Sequence, residues 1–337
     1  MGAGGEQPRA INWRERLPRL QRTGIWALVV GVACYALVGV IFDGGLAAAH
    51  ALPPLRHPWL LPLLLVLAPT NYLLRYFKWL MYTRRLGFRQ VPWRQNLLIF
   101  VGGLGLSVTP GKMGELVKSW FLWDRYQIPA ARSAPMVVAD RLTDFLAMLI
   151  LATGGAVLLG HGRVPYALIV VMVLLVAAMR SRRVALWLIG QAARIPRLRP
   201  LQDKMHELLD SGQTLLAADV FAAAVGLGLI GWGLEGLVVF VAMAVFGGHI
   251  PIAGAEFVLA SASLIGGISG LPGGVGAAEG VMTGLLVWLG VPFPLAVMVM
   301  LISRFATLWL GVAVGLTCLA ALQAGGARRA GTAAVRP

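Results

Sequence analysis

The residues with the most chemical potential stand where an apolar chain should not tolerate them. Thr109 to Lys118 reads TPGKMGELVK, and Lys112, Glu115 and Lys118 follow one another at intervals of three, so neighbours share one side of a helix. Thr109 is suited to cap a helix that starts at Pro110, leaving backbone N–H groups free at the break. A helix N-terminus with Lys112 beside it is suited to an anionic group such as a phosphate. The alternative is that Lys112 and Glu115 neutralise each other and pin the backbone. Asp140, Arg141 and Asp144 open a later apolar run, and Arg141 and Asp144 are three apart, so they can pair structurally or meet a ligand. Arg304 has no acid close in sequence; Glu279 or Glu256 reaches it in space, or it faces an anion. Glu235 sits mid-run in WGLEG, either as a functional carboxylate or hydrogen-bonded across helices. Asn71, Arg75 and Lys78 end another apolar run, where snorkelling to the interface is the simpler reading. No nucleophile–base pair or metal cluster can be assembled from these residues, so no catalytic residue, metal or cofactor is expected.

Composition explains why such charges are conspicuous. Of 337 residues 58% are hydrophobic and 13% charged, with a mean hydropathy of +0.77; ordinary soluble domains carry about 25% charged residues. Charges inside a bilayer cost about 2.5–3.5 kcal/mol each on insertion scales, so each needs a partner or a purpose. The formal charge of +15 fits membrane topology and anionic lipid better than nucleic acid, which is not an expected partner. Cys34 and Cys318 lie in separate apolar runs, which supports neither a disulfide framework nor a thiolate site. The stretch Gly105 to Lys112 only approximates a nucleotide loop: five residues separate its glycines and Met113 replaces the required Ser or Thr.

The expected fold class is an all-α polytopic membrane protein with about six full spans and two re-entrant helical hairpins. Full spans are expected near residues 24–42, 58–80, 134–159, 164–179, 215–246 and 294–322. The apolar run at 97–108 is shorter than the roughly 20 residues a crossing needs, and it meets the Pro-Gly break. Hairpins are therefore expected at 95–123 and 252–290, with hinges at Pro110, Gly111 and Gly114 in one and Pro272, Gly273, Gly274 and Gly276 in the other. The polar 180–213 segment reads as surface helices, and residues 1–23 and 323–337 as basic tails. Placing the basic loops inside puts both termini in the cytoplasm.

The two breaks look like two copies of one unit. Pro110, Glu115, Pro129 and Arg141 are matched by Pro272, Glu279, Pro292 and Arg304; the prolines are 19 and 20 residues apart, and each second proline precedes its arginine by 12. Repeats are expected at 58–159 and 214–322 within one membrane domain. Three full crossings between the hairpins make the repeat inverted, the arrangement of alternating-access transporters. The first copy is cationic and the second glycine-rich, so the first is expected to bind an anion and the second to supply packing, flexibility and Glu279.

NYLLRYFKW, TPGKMGELVKSWFL, VVADRLTDFLA, LPGGVGAAEG and LISRFATLWLG together resemble the lysylphosphatidylglycerol synthase transmembrane, or flippase-like, family, over roughly residues 71–315. The resemblance implies handling of aminoacylated phosphatidylglycerol, polyprenyl-phosphate-linked sugars or other lipids, some members being linked to hopanoids. It also adds Arg75 to the head-group candidates. The soluble aminoacyltransferase domain of bifunctional members has no counterpart here, so no synthase activity is implied. The expected function is a lipid translocase in a bacterial-type cytoplasmic membrane, with Lys112, Lys118, Arg141, Arg304, Arg75 and Thr109 on the head group. Glu115, Asp140, Asp144, Glu279 and Glu235 would be pairing or coupling carboxylates. Membrane lipids are the expected partners, alongside a lipid-synthesis enzyme or a second copy of the chain. The alternatives are a hopanoid or other lipid accessory protein and an intramembrane lipid-modifying enzyme.

Overall fold

A computed structural model describes residues 21–26, 28–29, 33, 54–109, 115–160, 164–194 and 202–333. The regular structure of the described residues is all helical, without strands. A 3-10 turn at Pro58–Leu60 leads into α1 (Leu61–Arg85), followed by α2 (Trp93–Leu104), α3 (Val117–Tyr126) and α4 (Ala130–Leu158). Then come α5 (Val164–Arg180), α6 (Arg182–Ala193) and α7 (Gln202–Leu215). The second half has α8 (Ala218–Val245), α9 (Ile252–Ile268), α10 (Ala277–Trp288), α11 (Phe293–Arg304) and α12 (Leu310–Ala333). A π-helical turn, Phe305–Trp309, joins the last two.

The chain is an integral membrane protein. Among the described residues, four continuous helical stretches are long and apolar enough to cross a bilayer: Pro58–Arg85, Ala130–Leu158, Ala218–Val245 and Phe293–Gln323. At 17 residues α5 is shorter than the usual crossing, and the span expected at 24–42 lies largely outside the described residues. The polar 180–213 segment contains the two helices α6 and α7, as its amphipathic pattern predicts.

The two halves show a similar succession of helix lengths. A long helix (α1 or α8), two short helices meeting at a break (α2–α3 or α9–α10), and a second long helix (α4 or α11–α12) occur in both halves. The equivalent helices α1 and α8 run antiparallel against one another. Arg85 meets Asp219 at one end, Asn71 meets Glu235 in the middle, and the Arg56 and His57 amides both donate to the Val245 carbonyl, each at 2.9 Å.

The short helices change partners. α2 packs on α12, the last long helix of the other half, whereas α9 packs on α4. Glycine permits both approaches: a Cβ on Gly105 would meet the backbone of Gly315, and one on Gly155 would meet Ala253 and Phe257. The two breaks thereby come together, with Gly273 (φ +63°) facing Val108 and Leu308. In the second break Gly274, also in the left-handed region at φ +68°, lies against the Gly266 backbone, a conformation that a residue with a Cβ rarely adopts.

Candidate functional site

Between the breaks lies a cavity of about 530 Å³. The first half contributes Tyr72 and Arg75 from α1, Ser107 and Glu115 from the break, and Arg141 and Asp144 from α4. The second half contributes Trp232 and Glu235 from α8, Gly270, Leu271, Gly273 and Gly274 from the break, and Arg304 from α11. The rest of the wall is mostly apolar, including Val137, Val138, Phe145, Leu259, Leu264 and Ile268. Val138 and Ile268 are respectively 53% and 71% exposed, so the cavity has an apolar rim.

One wall is a buried ionic lattice. Residues 71, 75 and 78 share one face of α1 at helical spacing, and all three are buried. Lys78 is completely enclosed, with Nζ 2.7 Å from Asp140 Oδ1 and 2.5 Å from Asp144 Oδ1. Arg75 Nη2 lies 3.2 Å from Asp144 Oδ2 and 3.9 Å from Asp140 Oδ2, its guanidinium 5.9 Å from the Trp232 ring centre. These contacts correct the snorkelling expectation for Asn71, Arg75 and Lys78. Desolvating a cation this far is compensated only by close opposite charge, and two aspartates one turn apart on α4 supply it.

Glu115 joins this lattice to the break. Arg141 Nη2 is 3.0 Å from Glu115 Oε2, 3.2 Å from Asp140 Oδ2 and 3.9 Å from Asp144 Oδ2. Lys118 Nζ is 3.3 Å from Glu115 Oε2 and lies over the Trp79 and Phe100 rings at 5.2 and 4.8 Å. Its stem fills the space a side chain on Gly103 would need. Thr109 donates its hydroxyl to the Leu106 carbonyl at 2.7 Å. Pro110, Gly111, Lys112 and Gly114 lie outside the described residues.

In the second break Arg304 Nε donates to Glu279 Oε1 at 2.7 Å, and Arg304 Nη2 to the Gly273 carbonyl at 2.9 Å. Glu279 Oε2 in turn accepts the Gly276 amide at 2.7 Å, which secures the start of α10 by a capping-box contact. The open question of Arg304's partner is thus settled for Glu279 over Glu256. Pro272, Gly273 and Gly274 form a 3-10 turn, and Gly276 at φ +90° precedes α10. The Glu–Arg pair of each copy joins the segment after its break to the following long helix.

Glu235 is buried and accepts a hydrogen bond from Asn71 Nδ2. Three residues of this site carried little signal in the sequence. Lys78 was assigned to an interface, Trp232 had no charge to mark it, and Glu256 appeared only as a rival partner for Arg304. The signal available for Lys78 was its register with Asn71 and Arg75.

The ionic lattice around Glu115, Asp140 and Asp144 gathers four cationic side chains, Arg75, Lys78, Lys118 and Arg141. Formally that is one positive charge more than the three carboxylates balance. Arg75 Nε, Arg141 Nε and Trp232 Nε1 are buried donors without a hydrogen-bond acceptor among the described residues, and all three side chains line the cavity. Buried donors ordinarily find acceptors, so this wall is chemically incomplete towards an anion.

A family model for the lysylphosphatidylglycerol synthase TM region matches residues 11–315. Two matches are to UPF0104 membrane proteins of Methanothermobacter thermautotrophicus (strain Delta H). One is 35% identical over 89 residues, covering 26% of this chain and 27% of the relative. The other is 26% identical over 252 residues, covering 66% and 73%. No solved structure matches the chain.

Proposed function

The chain belongs to the lysylphosphatidylglycerol synthase transmembrane-region family, and from that premise we propose that it is a lipid translocase for lipids with an anionic head group. Anionic phospholipids and polyprenyl-phosphate-linked lipids are the substrate class. The observation that carries this reading is the set of unmatched buried donors, Arg75 Nε, Arg141 Nε and Trp232 Nε1, on residues lining one cavity. A phosphate offers several acceptor oxygens and a compensating charge. The apolar rim at Val138 and Ile268 is compatible with acyl chains lying outside while the head group occupies the interior.

In this reading the α2–α3 and α9–α10 pairs are re-entrant hairpins that meet near mid-membrane, where irregular backbone survives because protein and a cavity surround it. Rocking of one copy against the other exposes the cavity to each leaflet in turn. The lipid is moved without being chemically altered. The basic segments at 84–94 and 180–213 face the cytoplasm of a bacterial-type cell, and both termini lie on that side.

The test is a reconstituted vesicle assay that reads the sidedness of a labelled anionic phospholipid. Arg141→Gln and Arg304→Gln are assayed separately, each checked for an unchanged elution profile. A reduced rate in either variant supports the site; wild-type rates in both, or a new lipid product in place of altered sidedness, would overturn the reading.

A further inference from the structure

The outer face of α1 carries a second basic feature, away from the ionic lattice. Asn71, Arg75 and Lys78 turn inward and are buried, whereas Phe77, Leu80, Met81 and Arg84 follow one another at helical spacing along another side. With Arg85 and with Asp219 of α8 they line a separate groove of about 480 Å³. It shares no lining residue with the head-group cavity. Phe77 is 53% exposed and Leu80 and Met81 are half-buried, so the groove has an open apolar floor that leads to two arginines at the end of the helix.

The charges of this groove do not balance. Arg85 Nη2 lies 3.2 Å from Asp219 Oδ2 and 3.3 Å from Oδ1, so these two neutralise each other. The Arg84 guanidinium is exposed and enters no ion pair or hydrogen bond among the described residues. One positive charge is left over. Its depth follows from its neighbours: the arginines end the membrane-crossing stretch Pro58–Arg85, and exposed Trp93 lies along the last turns of α1, its carbonyl accepting the Tyr76 hydroxyl at 2.9 Å. Tryptophan and arginine at the end of a span mark the head-group level. Arg84 therefore stands among lipid phosphates, and Phe77, Leu80 and Met81 lie one to two turns deeper, at the level of the acyl chains.

We propose that this groove holds one anionic phospholipid of the surrounding leaflet, its phosphate on Arg84 and an acyl chain over Phe77, Leu80 and Met81. A guanidinium can donate two parallel hydrogen bonds to a phosphate. The uncompensated charge selects a head group that is negative overall, because a zwitterionic one brings no net charge to meet it. Asp219 sets the strength of the site by occupying Arg85, which would otherwise offer a second cation. Since α1 belongs to one half of the chain and α8 to the other, the bound lipid bridges the two halves at this end. It is a resident of the outer surface, separate from any lipid in the cavity.

The proposal stands apart from the translocase reading and is tested by binding, without transport. Delipidated full-length protein is titrated with phosphatidylglycerol, or with phosphatidylcholine of the same chains, and bound lipids are counted by native mass spectrometry. Arg84→Gln should weaken phosphatidylglycerol binding about fivefold, the contribution of one arginine at a membrane surface. Asp219→Asn, which releases Arg85, should strengthen it about fivefold; the pair it breaks is exposed, so the fold should be little affected. Both effects should persist in an Arg141→Gln background, which weakens the cavity, and both should be small for phosphatidylcholine. Inorganic phosphate in excess should not displace the lipid. Wild-type affinity in both variants, equal effects on phosphatidylcholine, loss of the effects in the Arg141→Gln background, or displacement by free phosphate would overturn the proposal. So would conversion of a dimer to a monomer by Arg84→Gln, which would assign the groove to a second copy of the chain. A failed lipid-sidedness assay combined with the expected binding shifts would sink only the translocase reading.

Discussion

Glu115 holds Arg141 at 3.0 Å, and the bond recurs in the second half between Glu279 and Arg304 at 2.7 Å. Each joins the residue after a break to the long helix that follows it. The surroundings differ. Glu115 also meets Lys118, and Arg141 also meets two aspartates, whereas Arg304 reaches the Gly273 carbonyl and Glu279 the Gly276 amide.

This difference predicts unequal responses to breaking the bond. Arg304→Gln removes the cation paired with buried Glu279 and should cost about 3–5 kcal/mol, as removal of one partner from a buried pair does. Glu279→Gln combined with Arg304→Gln should cost less than the two single changes added together. Thermal unfolding in detergent, arranged as a double-mutant cycle, measures the coupling; strict additivity would refute it.

Lys78→Met should be among the most damaging changes in α1. It leaves Asp140 and Asp144 facing each other with Arg75 and Arg141 as their remaining cations, at a cost of about 3–5 kcal/mol. Adding Asp144→Asn should recover part of the loss. A Lys78→Met protein that melts at the wild-type temperature would mean that this lysine is not enclosed.

Trp232→Phe keeps the aromatic surface under Arg75 and removes an unmatched donor. Stability should be nearly unchanged, whereas the apparent affinity for an anionic lipid should fall about fivefold, the equivalent of one hydrogen bond worth about 1 kcal/mol. Concentration-dependent initial rates in vesicles separate that effect from a change in maximal rate. A variant with unaltered affinity would exclude the indole N–H from the head group.

Glycines at close helix approaches should behave unlike glycines in open space. Gly105→Ala drives a methyl group into the Gly315 backbone and should destabilise by about 1–3 kcal/mol through overpacking. Gly154→Ala on α4 meets nothing within 4 Å and should be neutral or stabilising by up to about 1 kcal/mol through helix propensity. Melting temperatures of the two variants should move in opposite directions or differ clearly.

The sequence made the large features legible because hydropathy and helix breakers are local. The bounds of α4, α8 and the last long helix fall close to the apolar runs, and the Pro–Glu–Pro–Arg spacing marked both halves and the two arginines that face one cavity. What escaped depends on contacts remote along the chain. Lys78 finds Asp140 and Asp144 across another helix, so its position near an apolar run's end pointed towards snorkelling. Glu256 fits against α8 through the missing side chain of Gly236, and an absent side chain carries no chemical label. Trp232 carried no signal because what marks it is an N–H without an acceptor among the described residues.

The exchange of partners by the short helices makes the two halves interdependent. With α2 seated on α12, α9 on α4, and α1 against its own counterpart α8, each half closes the interior of the other, as two subunits of a symmetric dimer would. In this chain the two halves belong to one molecule. Within one chain the halves need not be identical, so one break carries charge while the other is glycine-rich, an asymmetry that a dimer of identical chains could not encode.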